Sequence, residues 1–256
     1  MARARSRMAL SLGVLCVGLC VGPGATAWSR AVATTWSATE AASGELEGTR
    51  SLPPRGAGYR TYSVIGSAIG RQHADHRVIA ALRQALASAG DEAGRTYTVA
   101  EVGWPSGGAF PPHRTHREGL SVDILMPMLD ASGSPASLPS WPWTGWGYCW
   151  HLDGEGALRS MAWEAPLPVV RGHEVDPCPF PGRGGGWTAD FDGLRLLLEA
   201  VLEAAPAHGV RLTRVIVAPE YADRIGAGSA VDPLLTRRGV WVRHDDHVHL
   251  DFRSLP

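Results

Sequence analysis

The chain has 256 residues, 45% of them hydrophobic, a formal net charge of -1 and no lysine, so all 24 basic residues are arginine. That length and apolar content suit one domain with an insertion, or two small ones, and exclude a wholly disordered chain. The near-zero charge, without a basic stripe, argues against a nucleic-acid partner.

In chain order, Arg3, Arg5 and Arg7 precede an apolar stretch from Met8 to Val21 and the small residues Ala25-Thr26-Ala27, the layout of a cleaved secretory signal. Residues 1–27 are therefore expected to be removed and the product to be periplasmic or secreted. The apolar stretch is shorter than the roughly 20 residues a spanning helix needs, so no stable membrane anchor is expected. Cleavage removes those arginines and no acidic residue, which makes the mature chain more acidic.

Residues 28–58, rich in Ala, Ser, Thr, Gly and Pro, are expected to form a flexible lead to a domain over 59–256. Val78, Ile79, Leu82, Ala85 and Leu86 have the spacing of one buried helical face, which predicts a helix from Asp75 to Ala89 that Gly90 ends. Thr96 to Val102 and Leu120 to Leu125 read as strands separated by a Gly/Pro-rich loop. Residues 127–189 lack periodicity and are expected to be an insertion. Asp192 is the expected N-cap of a helix carrying Leu194, Leu197, Leu198, Val201 and Leu202 and ending near Gly209. A strand from Arg211 to Ala218, short helical pieces near Glu220 and Pro233, and a last strand through His247 and His249 complete an α+β pattern.

The insertion contains Cys149 and Cys178, and in an oxidising compartment a disulfide between them is the default. His151 and His173 lie near these cysteines, so a closed zinc set of Cys149, His151, His173 and Cys178 is the alternative. Trp141, Trp143, Trp146 and Trp150 cluster around Cys149. They are expected to pack the insertion onto the body in preference to stacking on sugar rings.

Two strings carry the chemistry. The first holds His113, His116 and Asp123; the second holds His244, His247 and His249. Alternation along a strand puts His247 and His249 on one face, about 7 Å apart, and lets Asp123 share the open face of its own strand. Gly119 can bend the chain sharply enough to bring His116 back over Asp123. His116, Asp123 and His249 are thus the expected ligands, and two imidazoles with one carboxylate make an open catalytic zinc site. His247 is left as general base, with His244 and His113 bordering the site, one of them stabilising an oxyanion. His73 and His76, at a helix start without a matching carboxylate, are expected to be surface residues. No Gly-x-Ser-x-Gly elbow supports a serine hydrolase.

At His113-Arg-Thr-His116-Arg-Glu-Gly119-Leu-Ser-Val-Asp123-Ile and His244-Asp-Asp-His247-Val-His249, the chain resembles the penicillin-insensitive murein endopeptidases, within the wider lysostaphin, D-alanyl-D-alanine carboxypeptidase and hedgehog group of zinc folds. The resemblance implies a small antiparallel sheet flanked by helices and a zinc-dependent cut of D-alanyl to diaminopimelate cross-links in peptidoglycan. It also implies His116, Asp123 and His249 as ligands, His247 as base, and His113 and His244 as further active-site histidines. A D-alanyl-D-alanine carboxypeptidase and a non-catalytic zinc-containing wall-binding protein of this fold are the alternatives.

Overall fold

In the computed structural model, the residues described are 48–110, 113, 115–138, 150–159, 186–238 and 244–256. The expected signal, Cys149, Cys178, His173 and the Trp141, Trp143 and Trp146 cluster all lie outside them. Among the described residues no helix is long and apolar enough to cross a membrane.

The elements in order are β1 (Thr49–Ser51), β2 (Arg55–Gly56), β3 (Tyr59–Thr61), α1 (Val64–Ala68), β4 (His73–Asp75), α2 (His76–Glu92), β5 (Tyr97–Val99) and β6 (Ser121–Leu125). There follow β7 (Pro127–Leu129), β8 (Pro135–Ser137), β9 (His151–Leu152), β10 (Leu158–Arg159) and β11 (Thr188–Ala189). The chain closes with α3 (Phe191–Ala207), β12 (Val210–Ile216), α4 (Ala222–Gly226) and β13 (His247–Ser254). The fold is α+β. Six strands form the main sheet in the order β12-β13-β6-β5-β3-β2, antiparallel throughout except for β3 with β5.

Alternation gives the sheet two different faces. Val122 and Ile124 of β6, with Val248 and Leu250 of β13, are fully buried in the same core as Leu82 and Leu86 of α2 and Leu194, Leu197 and Leu198 of α3. The two long helices pack against each other. On the other face, β13 pairs with β6 so that His249 stands opposite Asp123, His247 opposite Leu125 and Asp251 opposite Ser121.

Several expectations change. Gly90 does not end α2: the helix runs to Glu92, and a Cβ at Gly90 would sit 2.5 Å from the Cα of Gly58, so the glycine permits close packing. Asp192 is not the N-cap of α3. Asp190 is, accepting from the Gly193 amide at 2.8 Å, while Asp192 lies in the first turn, where a negative charge meets the helix dipole. The C-terminal part of the expected lead belongs to the fold, since β1 pairs with β4 and Leu52 is buried. The expected insertion over 127–189 contributes strands and core residues of its own: β7, β8 and β11 form a three-stranded sheet, and Trp150, Leu152 and Leu158 join the core. Trp150 thus packs inward as expected.

Candidate metal and active site

The loop after β5 returns over the open face of the sheet and delivers the first string. Gly119 makes that return possible, with φ of 65° and with an added Cβ only 2.9 Å from the backbone nitrogen of Asp75. A side chain there would meet both strain and backbone. Beyond it β6 begins, with Asp123 at its centre and fully buried.

Three imidazoles face that carboxylate. His116, also fully buried, donates from Nδ1 to the Val102 carbonyl at 2.7 Å, because a carbonyl can only accept. Its Nε2 therefore carries the lone pair in the neutral ring and lies 3.2 Å from Asp123 Oδ1. Burial, the largest influence, lowers the His116 pKa despite that carboxylate. This Nε2 has no hydrogen-bond partner among the described residues. A lone pair aimed at a carboxylate is unfavourable unless a cation stands between them, so this orphaned atom fits a metal ligand.

His249 approaches from β13. Its Nδ1 is 2.6 Å from Asp123 Oδ1, and its Nε2 is 2.9 Å from Asp251 Oδ1 and 3.2 Å from Thr115 Oγ1. Burial opposes a positive charge on this ring, but the two carboxylates outweigh it and push the pKa up to about 9. Burial would likewise raise Asp123, yet His116 and His249 hold it well below the usual carboxylate range. A metal would take the place of the His249 proton, as metal binding commonly does.

His113 closes the third side. Its Nδ1 is 3.5 Å from Asp123 Oδ2 and its Nε2 is 3.4 Å from Glu101 Oε2. One donor atom from each of His113, His116 and Asp123 lies within 4.8 Å of the others, a group that could hold a metal ion. Glu101 is buried and is gripped by Tyr62 and by both ends of the Arg71 guanidinium, one bond being 2.8 Å from Arg71 Nε to Oε1. Burial would raise Glu101, but His113 and Arg71 bring it below its ordinary value. Arg71 lies over the ring of Phe110 at 4.4 Å, and Phe110 stacks 5.5 Å from His116.

The second string adds a separate pair. His247 Nδ1 is 2.6 Å from Asp246 Oδ1; burial disfavours its imidazolium, but the Asp246 bond and charge outweigh burial and raise the pKa. His244 packs 4.6 Å from the His247 ring and 6.2 Å from that of His249. It holds φ of 55°, the left-handed region that a non-glycine residue rarely occupies, and its carbonyl accepts from the Ala218 amide at 2.9 Å.

All six residues singled out from the sequence are therefore brought together. The adjacent Asp245 and Asp246 have distinct tasks. Asp246 orients His247 and also accepts from the Trp150 amide at 3.3 Å. Asp245 accepts from the Leu152 amide at 3.1 Å and from His151 Nδ1 at 2.7 Å, so His151 is engaged with a carboxylate. His73 is half-buried and bonded to the Gly70 carbonyl, while His76 is exposed, and neither joins the site. Sequence reasoning missed Glu101, Arg71, Tyr62 and Asp251.

No individual curated protein matches the sequence. Residues 37–137, which contain His113, His116 and Asp123 but stop short of the second string, match the model of the family described as penicillin-insensitive murein endopeptidase. Over that stretch the chain is similar to this family of peptidases, which supports a hydrolase acting on peptidoglycan.

Proposed function

We propose that the protein is a zinc-dependent endopeptidase that hydrolyses peptide cross-links of peptidoglycan, of the D-alanyl to diaminopimelate type. The observation that carries this reading is the convergence of His116 Nε2 and His249 Nδ1 on Asp123 Oδ1, beside the His247–Asp246 pair. His116, Asp123 and His249 hold the ion in this reading, and two imidazoles with a carboxylate is a donor set that suits zinc. Bound there, zinc supplies the acidity that activates a water and the polarisation of a scissile carbonyl.

The protein's own groups do the rest. Asp246 accepts from His247 Nδ1, which leaves Nε2 as the basic atom. That nitrogen takes a proton from the attacking water and returns it to the leaving amine. His244 and His113 flank the reacting carbonyl, where a donor ring steadies negative charge on oxygen. Residues 1–27 act as an export signal in this scheme, delivering the protein to a substrate outside the cytoplasm.

The test is digestion of purified sacculi by the protein, with and without chelator, beside His247→Ala. The reading requires release of cross-linked stem peptides that chelation and the substitution both abolish. Intact sacculi under conditions where the zinc-loaded protein is folded would overturn it.

A further inference from the structure

The reading of His249 as a ligand leaves open what selects its nitrogen. An imidazole can bind a metal through either ring atom, and the choice falls to whatever the other atom bonds. On β13 the side chain two residues beyond His249 lies on the same face. That residue is Asp251, and its Oδ1 stands 2.9 Å from His249 Nε2.

Asp251 is itself held from three directions. Ser121 Oγ of β6 donates to Oδ1 at 2.7 Å. Arg214 of β12 donates from Nε to Oδ2 at 2.6 Å. The third hold is on the backbone, where Thr213 Oγ1 donates to the Asp251 carbonyl at 3.1 Å. A register shift explains how Arg214 comes to be there. β12 pairs with β13 as Leu212 with Phe252 and then Arg214 with Asp251, so Thr213 is the extra residue of a bulge. Bulges of this kind re-aim side chains beside functional sites. An uninterrupted ladder would place Thr213 opposite Asp251.

We infer that Asp251, aimed by the bulge-placed Arg214 and by Ser121, is a positioning residue that keeps the proton on His249 Nε2 and so presents Nδ1 to the metal. This inference rests on His249 being a ligand. It adds an outer carboxylate of the kind that orients ligating histidines and tunes metal affinity. His113 likewise lies between two carboxylates, its Nε2 facing Glu101 and its Nδ1 facing Asp123.

The test uses the full chain with zinc as the probe, its affinity measured by competition against a chromophoric chelator. Ring nitrogen spectra of the zinc-loaded protein, with His249 assigned by comparison with His249→Ala, supply a second readout. The parent should show zinc on His249 Nδ1 and a slowly exchanging Nε2 proton. Asp251→Ala should lose that proton signal and bind zinc about 10- to 100-fold more weakly. Asp251→Asn has the same shape and can still accept, so it should recover part of the affinity. It also decides the matter if the alanine variant does not fold. Parental affinity within about twofold, with the Nε2 proton still protected, overturns the inference, and so does parental affinity in His249→Ala. Failure to digest sacculi with zinc binding intact sinks the murein assignment instead, because Asp251 is judged on affinity and spectra alone.

Discussion

Asp246 holds His247 by its Nδ1 at 2.6 Å, which places the lone pair of the neutral imidazole on Nε2 and makes the pair a unit. His247→Ala should therefore lower kcat by about 10²- to 10⁴-fold, the usual worth of a positioned general base, while zinc content stays at the parental level. Asp246→Asn can donate to Nδ1 and so leave the proton on Nε2, and about 10²-fold or more should be lost. Equal turnover by either variant and the parent would remove His247 from the chemistry.

The orphaned Nε2 of His116 should make the protein's stability depend on metal. A ligand bound only to the folded state, at a hundred times its Kd, adds about 2.7 kcal/mol. Zinc should accordingly raise Tm in calorimetry and a chelator should reverse the change. In His116→Ala the zinc-dependent rise should disappear. A Tm indifferent to zinc in the parent counts against the site.

Gly119→Ala should damage fold and site together. The left-handed conformation costs an alanine about 1–2 kcal/mol, and the new Cβ would press on the Asp75 amide, which itself donates to the Gly119 carbonyl at 3.0 Å. Urea titration should show that loss, and zinc affinity should fall with it. Gly108→Ala is the control, because its φ of 88° carries the same backbone strain but its Cβ would meet nothing within 4 Å.

The N-cap of α2 gives a pH-dependent prediction. Asp75 accepts from the Arg77 amide at 2.8 Å and from its guanidinium. Burial would raise its pKa, but those bonds bring it below the ordinary 3.8. A carboxylate with a depressed folded pKa contributes stability above its unfolded value and loses it as pH falls through the folded one. Asp75→Ala should thus cost about 1 kcal/mol at neutral pH, and variant and parent should converge well below pH 3.8. A gap that persists in acid would assign the effect to something other than the cap.

The two histidine strings were legible because strand alternation is a local rule: residues two apart share a face, and β6 and β13 obey it over their shared length. The outer groups were not, because nothing local marks them. Glu101 reads as the end of an apolar strand, and its partners Arg71 and Tyr62 lie in a turn and beside a short helix. Asp251 looks like a routine polar residue in an alternating strand until the bulge at Thr213 brings Arg214 opposite it. The misplaced N-cap has a similar cause. Asp190 and Asp192 are both suitable types, and only the path of the chain from β11 selects the first. The strands within 127–189 were not legible because they are two or three residues long, too short to display a period.

One carboxylate of the second string serves two masters. Asp246 turns one oxygen to His247 and the other to the main chain at Trp150. The Trp-rich excursion and His247, the proposed base, are therefore not independent modules. Trading the excursion for that of another enzyme, as protein engineers do with specificity loops, would withdraw the Trp150 amide and let the carboxylate turn. Any new selectivity obtained in that way would come with a mis-set His247, unless the graft brought an amide to the same place.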